Sequence, residues 1–126
     1  MSAGEDAVAR ARAAVGTPFR LHGRDARGLD CVGLVALAWG LRVPTGYRLR
    51  TGDPAVVARG AAALGLVAAE VARAGDVVLV VSGPGQLHLG IDSGPGLIHA
   101  DAGLRRVVER PGAPPWPVLA RWRKEE

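Results

Sequence analysis

Apolar side chains in the first fifteen residues recur with helical spacing, since Ala7, Val8, Ala11, Ala14 and Val15 fall on one side of a 3.6-residue period. Ser2 and Glu5 precede them at capping-box spacing, and Gly16-Thr17-Pro18 interrupts the pattern, which predicts a helix over 2–15. Residues 19–29 are polar, contain Gly23 and Gly28, and read as a loop. Val32, Leu34, Val35, Ala36, Leu37, Ala38 and Trp39 are then apolar almost all round, so the helix predicted over 31–41 belongs in the middle of a core. Asp30 stands ahead of it as N-cap, because its carboxylate can accept the free amide hydrogens of the first turn. Pro44 and Gly46 end that segment. A third helix is predicted over 54–64, with Asp53 as N-cap, Pro54 at the first position and Gly65 as the stop.

After Gly65 the period shifts toward two. Ala74-Gly75 forms a turn, and Asp76 opens an apolar run over 77–81. Residues 82–86 (SGPGQ) form the next turn, and 87–93 alternate, with Leu87, Leu89 and Ile91 on one side and His88, Gly90 and Asp92 on the other. Gly94-Pro95-Gly96 turns the chain into a strand over 97–101, Ala102-Gly103 into another over 105–110, and 111–117 is a rigid connector to a last strand over 118–123. Helices first and an antiparallel meander second make an α+β domain, and a length of 126 residues suits one domain over 1–126.

With 48% hydrophobic residues the chain can bury a core, and with 4% aromatic residues that core must be Ala, Val and Leu. A single cysteine excludes an internal disulfide and a cysteine-based metal cluster. No apolar run approaches the roughly 18–20 residues that span a bilayer, so no membrane partner is expected. Glu5 and Asp6 stand where a signal peptide would carry positive charge, which predicts a product that stays soluble where it is made unless another machine exports it. The net charge of +4 comes from dispersed basic residues. Arg42, Arg48, Arg50 and Arg59, opposed by Asp53, come nearest to a patch and read as a solvated surface. With few aromatic stacking platforms and no dense basic stripe, no nucleic-acid partner is expected.

The chemistry centres on Cys31. A lone cysteine in a buried helix is often a small core hydrophobe. At the first turn, however, the partial positive charge and unpaired amides of a helix N-terminus favour a thiolate and offer an oxyanion a donor. His88 and His99 fall on neighbouring strands of one predicted hairpin and on one sheet face. A cysteine at a helix start with two adjacent imidazoles is the layout of nucleophile, general base and orienting group. A metal site of Cys31, His88 and His99 is also geometrically open, but no fourth ligand shows clear spacing; no metal or other cofactor is expected. Trp39 reads as core, and Trp116 and Trp122 as closing the domain around the C-terminal strand.

Four blocks carry a family resemblance: Gly16-Thr17-Pro18-Phe19-Arg20; Gly28-Leu29-Asp30-Cys31-Val32-Gly33-Leu34-Val35; Ala74-Gly75-Asp76-Val77-Val78; and His88-Leu89-Gly90-Ile91 followed by Leu97-Ile98-His99-Ala100. In this order they resemble the NlpC family of papain-like cell-wall cysteine peptidases, over roughly residues 8–110. The resemblance implies a Cys helix packed on a C-terminal antiparallel sheet, Cys31 as nucleophile, His88 as base and His99 as the third polar member. It implies cleavage of peptidoglycan stem peptides, commonly after D-glutamate, with Asp30 holding the free amine of the stem. The compact form, the arginine-rich loop after the Cys helix and the Arg-Arg-Val-Val-Glu-Arg ending most resemble the subgroup encoded with phage tails and gene-transfer particles. That implies tail proteins as partners and a particle as the route to the wall; recycling of wall fragments inside the cell is the other reading.

Two positions depart from the family pattern. Phe19, twelve residues before Cys31, stands where many members place a Tyr whose hydroxyl enters the oxyanion hole. His22 in the same loop is a candidate substitute donor, against the plainer and favoured reading of an exposed loop histidine. Val32 stands where Ser is common, which removes a substrate-facing hydroxyl. A second reading follows from Phe19: a papain-like structural or binding module of a tail assembly that has lost turnover.

Overall fold

A computed structural model describes residues 2–45 and 52–124. Three helices precede the main sheet: α1 (Ala3–Ala13), α2 (Cys31–Trp39) and α3 (Pro54–Ala63). A two-stranded hairpin, β1 (Arg24–Asp25) and β2 (Gly28–Leu29), leads into α2. The strands of the main sheet are β3 (Val67–Ala68), β4 (Val77–Gly83), β5 (Gln86–Asp92), β6 (Gly96–Asp101), β7 (Arg106–Pro111) and β8 (Val118–Arg123).

The predicted caps form. Ser2 Oγ accepts the Glu5 amide at 3.0 Å, Asp30 Oδ1 the Gly33 amide at 2.8 Å and Asp53 Oδ1 the Ala55 amide at 2.9 Å. Helix α2 stops short of the expected 41 because Gly40 takes a left-handed conformation, φ +65°, and returns its amide to the Ala36 carbonyl. Leu34, Val35, Ala38 and Trp39 are buried, and the Trp39 indole donates to the Gly75 carbonyl at 2.9 Å. Small residues on α1, Ala7 and Ala11, let it lie close against α2, and Arg10 Nη1 reaches the Ala38 carbonyl at 3.0 Å. Helix α3 buries only Ala61. The exposed Arg42 and Arg59 fit a solvated surface, while Arg48, Arg50 and Gly46 lie outside the described residues.

The sheet departs from a meander. Its strand order is β3-β8-β4-β5-β6-β7, so β4 to β7 follow one another as predicted, whereas β8 returns to pair with β4 and β3 adds to β8. The reason is legible in β4: Val77, Val78, Leu79 and Val80 are all buried, so both faces of that strand are covered and it needs partners on both edges. A buried carboxylate fastens the return. Asp76 Oδ1 accepts Arg123 Nε at 2.7 Å, and Oδ2 accepts Arg121 Nη1 at 3.3 Å and the Arg73 amide at 2.9 Å. One sheet face joins the helices in the main core, through residues such as Leu79, Ile91 and Ile98. The other carries Val78, Val80 and Leu97 against Trp116.

Candidate active site

Asp30 organises the entry to α2. Its side chain is fully buried; besides the Gly33 amide it accepts the His22 amide on Oδ2 at 2.8 Å and Arg24 Nη1 on Oδ1 at 3.2 Å. Gly33 is required by packing rather than by φ: a Cβ there would stand 2.0 Å from the Gly23 carbonyl oxygen. The loop expected over 19–29 is thus a small hairpin pressed onto the first turn of the Cys helix. The carboxylate expected to hold a substrate amine meets protein on both oxygens, and its capping role accounts for its geometry. His22, with φ +61°, lines a separate pocket with Arg20, Arg24 and Arg27, away from the cavity of Cys31.

The first turn of α2 meets the sheet where two strands part. Strands β5 and β6 pair at Ile91↔Ile98 and Asp92↔Leu97, while β4 and β5 stay in register from Val77↔Ile91 to Val81↔Leu87. Cys31, His88 and His99 line one cavity of about 170 Å³, together with Phe19, Asp101 and Trp116.

The two imidazoles meet as the hairpin register predicts. His88 Nε2 and His99 Nδ1 are 3.0 Å apart, with the rings edge to face at 86°. Trp116 sits edge-on to both, its ring centroid 6.1 Å from that of His88 and 5.5 Å from that of His99. Its role as a site wall was not visible in the sequence, because the connector over 111–117 reaches the histidines only when β8 returns to β4. Phe19 is held in place by its amide on the Arg105 carbonyl at 2.9 Å.

Electrostatics overturn one expectation. The helix N-terminus was expected to lower the Cys31 pKa; instead it is pushed up to about 11. Burial is the main cause and the neighbouring Asp30 carboxylate adds to it, while the Leu89, Val32 and Cys31 amides pull the other way without prevailing. His88 is pushed down to about 4, by burial first and then by His99, with Asp101 opposing. His99 is also lowered, mainly by burial. At neutral pH the resting site therefore holds a thiol and two neutral rings. Among the described residues, no group of three or more His, Cys, Asp or Glu is arranged to hold a metal ion, and no helix is long and apolar enough to cross a membrane.

No family model matches the sequence, and no curated protein matches it. Solved structures do. NlpC1 from Trichomonas vaginalis is 22% identical with a TM-score of 0.71, over 96% of this chain and 45% of that one. The chain spans about half the length of NlpC1 and of NlpC2 from the same organism. The NlpC/p60 domain of the peptidoglycan hydrolase SagA is 27% identical with a TM-score of 0.58, over 86% of this chain and 88% of that domain. RipD from Mycobacterium tuberculosis, a non-catalytic NlpC/p60 domain protein adapted to peptidoglycan binding, is 18% identical with a TM-score of 0.60, over 97% and 96%. An architecture repeated across structures that align with most of the chain shows that it has the α+β, papain-like fold of NlpC/p60 domains.

Proposed function

We propose that the chain is a cysteine hydrolase of bacterial peptidoglycan that cuts its peptide stems through Cys31, His88 and His99. The observation that carries this reading is the 3.0 Å contact between the two imidazoles beside a cavity shared with the only thiol. Because His88 Nε2 faces His99, its Nδ1 is the nitrogen left for the thiol. To accept a proton there, His88 must carry its own hydrogen on Nε2 and donate it to His99 Nδ1, which fixes His99 as the Nε2–H tautomer.

The reaction starts from the neutral pair. His88 Nδ1 takes the Cys31 proton as the sulfur attacks the scissile carbonyl, and amides at the start of α2 stabilise the oxyanion. The tetrahedral adduct collapses, the C–N bond breaks, and the leaving amine takes the proton from His88. Water, deprotonated by His88, then attacks the thioester, which releases the acid and restores the thiol. Purified sacculi incubated with the protein, followed by mass analysis of soluble fragments, test the reading. Stem-peptide fragments released by the wild type and absent with Cys31→Ser support it; equal release by both, or none by either, overturns it.

The second reading, a wall-binding module without turnover, is favoured by Phe19, which brings no hydroxyl to the cavity. Retention on sacculi without fragment release would support it. Carriage on a phage-like tail, implied by the motif resemblance, is the proposed route to the wall; the chain's presence in purified particles would test it.

A further inference from the structure

A second cavity adjoins the thiol. It is a cleft of about 540 Å³ between α2, α3 and the sheet, open to solvent on one side and within the usual size range of small-ligand pockets. It shares Cys31, Leu87 and His88 with the smaller cavity of the imidazole pair. Every other lining residue is apolar or glycine, including Val35, Val56, Gly60, Leu64, Leu79 and Trp122. An apolar cleft of this size that opens onto a nucleophile has the character of a small-ligand site, which is mostly apolar with a few placed polar groups. Helix α3 turns Val56, Val57, Gly60, Ala61 and Leu64 toward it, which accounts for a helix that buries only Ala61. Among the described lining residues only Cys31 and His88 offer a polar side chain to a carboxylate or amide, whereas an aliphatic chain meets matching apolar surface.

We propose that Cys31 also cleaves acyl esters and thioesters of unbranched aliphatic acids, with the carbonyl at the sulfur and the chain in this cavity. The proposal rests on Cys31 acting as a nucleophile, as in the reading above, and adds a second class of substrate. The sulfur bonds to the acyl carbon while its proton passes to His88. The bond to the alkoxide or thiolate leaving group breaks, and that group takes the proton. Water then hydrolyses the acyl-Cys31 thioester to the fatty acid and the free thiol.

The test is a series of p-nitrophenyl esters from acetyl to decanoyl, corrected for the rate of the Cys31→Ser protein. The expected kcat/KM climbs by about fourfold per methylene until the cavity is filled. Gly60→Leu supplies the second arm. Gly60 lines the cavity and a Cβ there meets nothing within 4 Å, so a leucine can be accommodated at its wall without a backbone clash. It should lower the octanoyl-to-acetyl ratio roughly tenfold or more. A flat chain-length series with Cys31-dependent turnover overturns the acyl cavity and leaves the nucleophile standing. Turnover that is the same in the wild type and Cys31→Ser overturns both.

Discussion

Phe19 carries the sharpest single-residue prediction. Its ring lines the cavity of Cys31 but offers no hydrogen to an oxyanion. One donor is worth on the order of 10²–10³ in rate. Phe19→Tyr should therefore raise kcat on peptidoglycan fragments by up to about that factor with little change in KM; an unchanged kcat would mean that the ring edge does not face the developing charge. His88 supplies a pH dependence. Its pKa in the fold is about 4, below its unfolded value, so between the two the unfolded chain binds the proton first. Stability from this group is complete above the unfolded pKa, near 6.5, and is lost as pH falls toward 4, by up to about 3 kcal/mol. Urea denaturation across that range should show the loss, and His88→Gln should reduce it, leaving the part that His99 contributes. The histidine pair and the thiol were legible in the sequence because strand alternation and a Gly-Pro-Gly turn fix which residues share a face. The raised Cys31 pKa was not, because burial is a property of the packed fold and outweighs the local helix terminus.

At the scale of elements, two glycines on neighbouring helices should respond to the same substitution with opposite signs. Gly33→Ala gains helix propensity but drives a methyl to 2.0 Å from the Gly23 carbonyl oxygen. The hairpin that holds Asp30 must then shift, at a cost of about 1–3 kcal/mol. Gly60→Ala finds open space and should stabilise by about 0.5–1 kcal/mol. Thermal melts of both variants check this; a stabilised Gly33→Ala would contradict the tight seat of the loop on α2. The helices and the β5–β6 hairpin could be read from local signals, namely Ser2, Asp30 and Asp53 as caps and Gly94-Pro95-Gly96 as turn. Strand β3, only Val67–Ala68 and exposed, has no such signal and exists because β8 presents an edge to it. The meander expectation failed for the same reason: whether β8 continues beyond β7 or returns to β4 is decided by pairing across many residues of chain.

For the whole molecule, the return of β8 is what brings Trp116 over the two histidines and Arg121 and Arg123 onto Asp76. Asp76 is 1% exposed, so those partners stand in for the water its carboxylate has lost. Removing one side of a buried ion pair typically costs about 3–5 kcal/mol. Arg123→Met, with Arg121 still present, should cost about 3 kcal/mol and lower Tm by roughly 10 °C, and should slow turnover as the Trp116 connector loosens. A shift below about 1 kcal/mol would show that β8 is held by its ladder alone. The fold is thus a helical layer that supplies a thiol and a sheet that supplies two imidazoles, closed by its last strand. The most direct test of that union is the intact mass of the protein mixed with a stem-peptide substrate and quenched in acid. The account predicts a mass gain equal to the acyl half of the substrate, located on Cys31 and absent in Cys31→Ser. Fragment release with no adduct on Cys31, or with an adduct elsewhere, would contradict it.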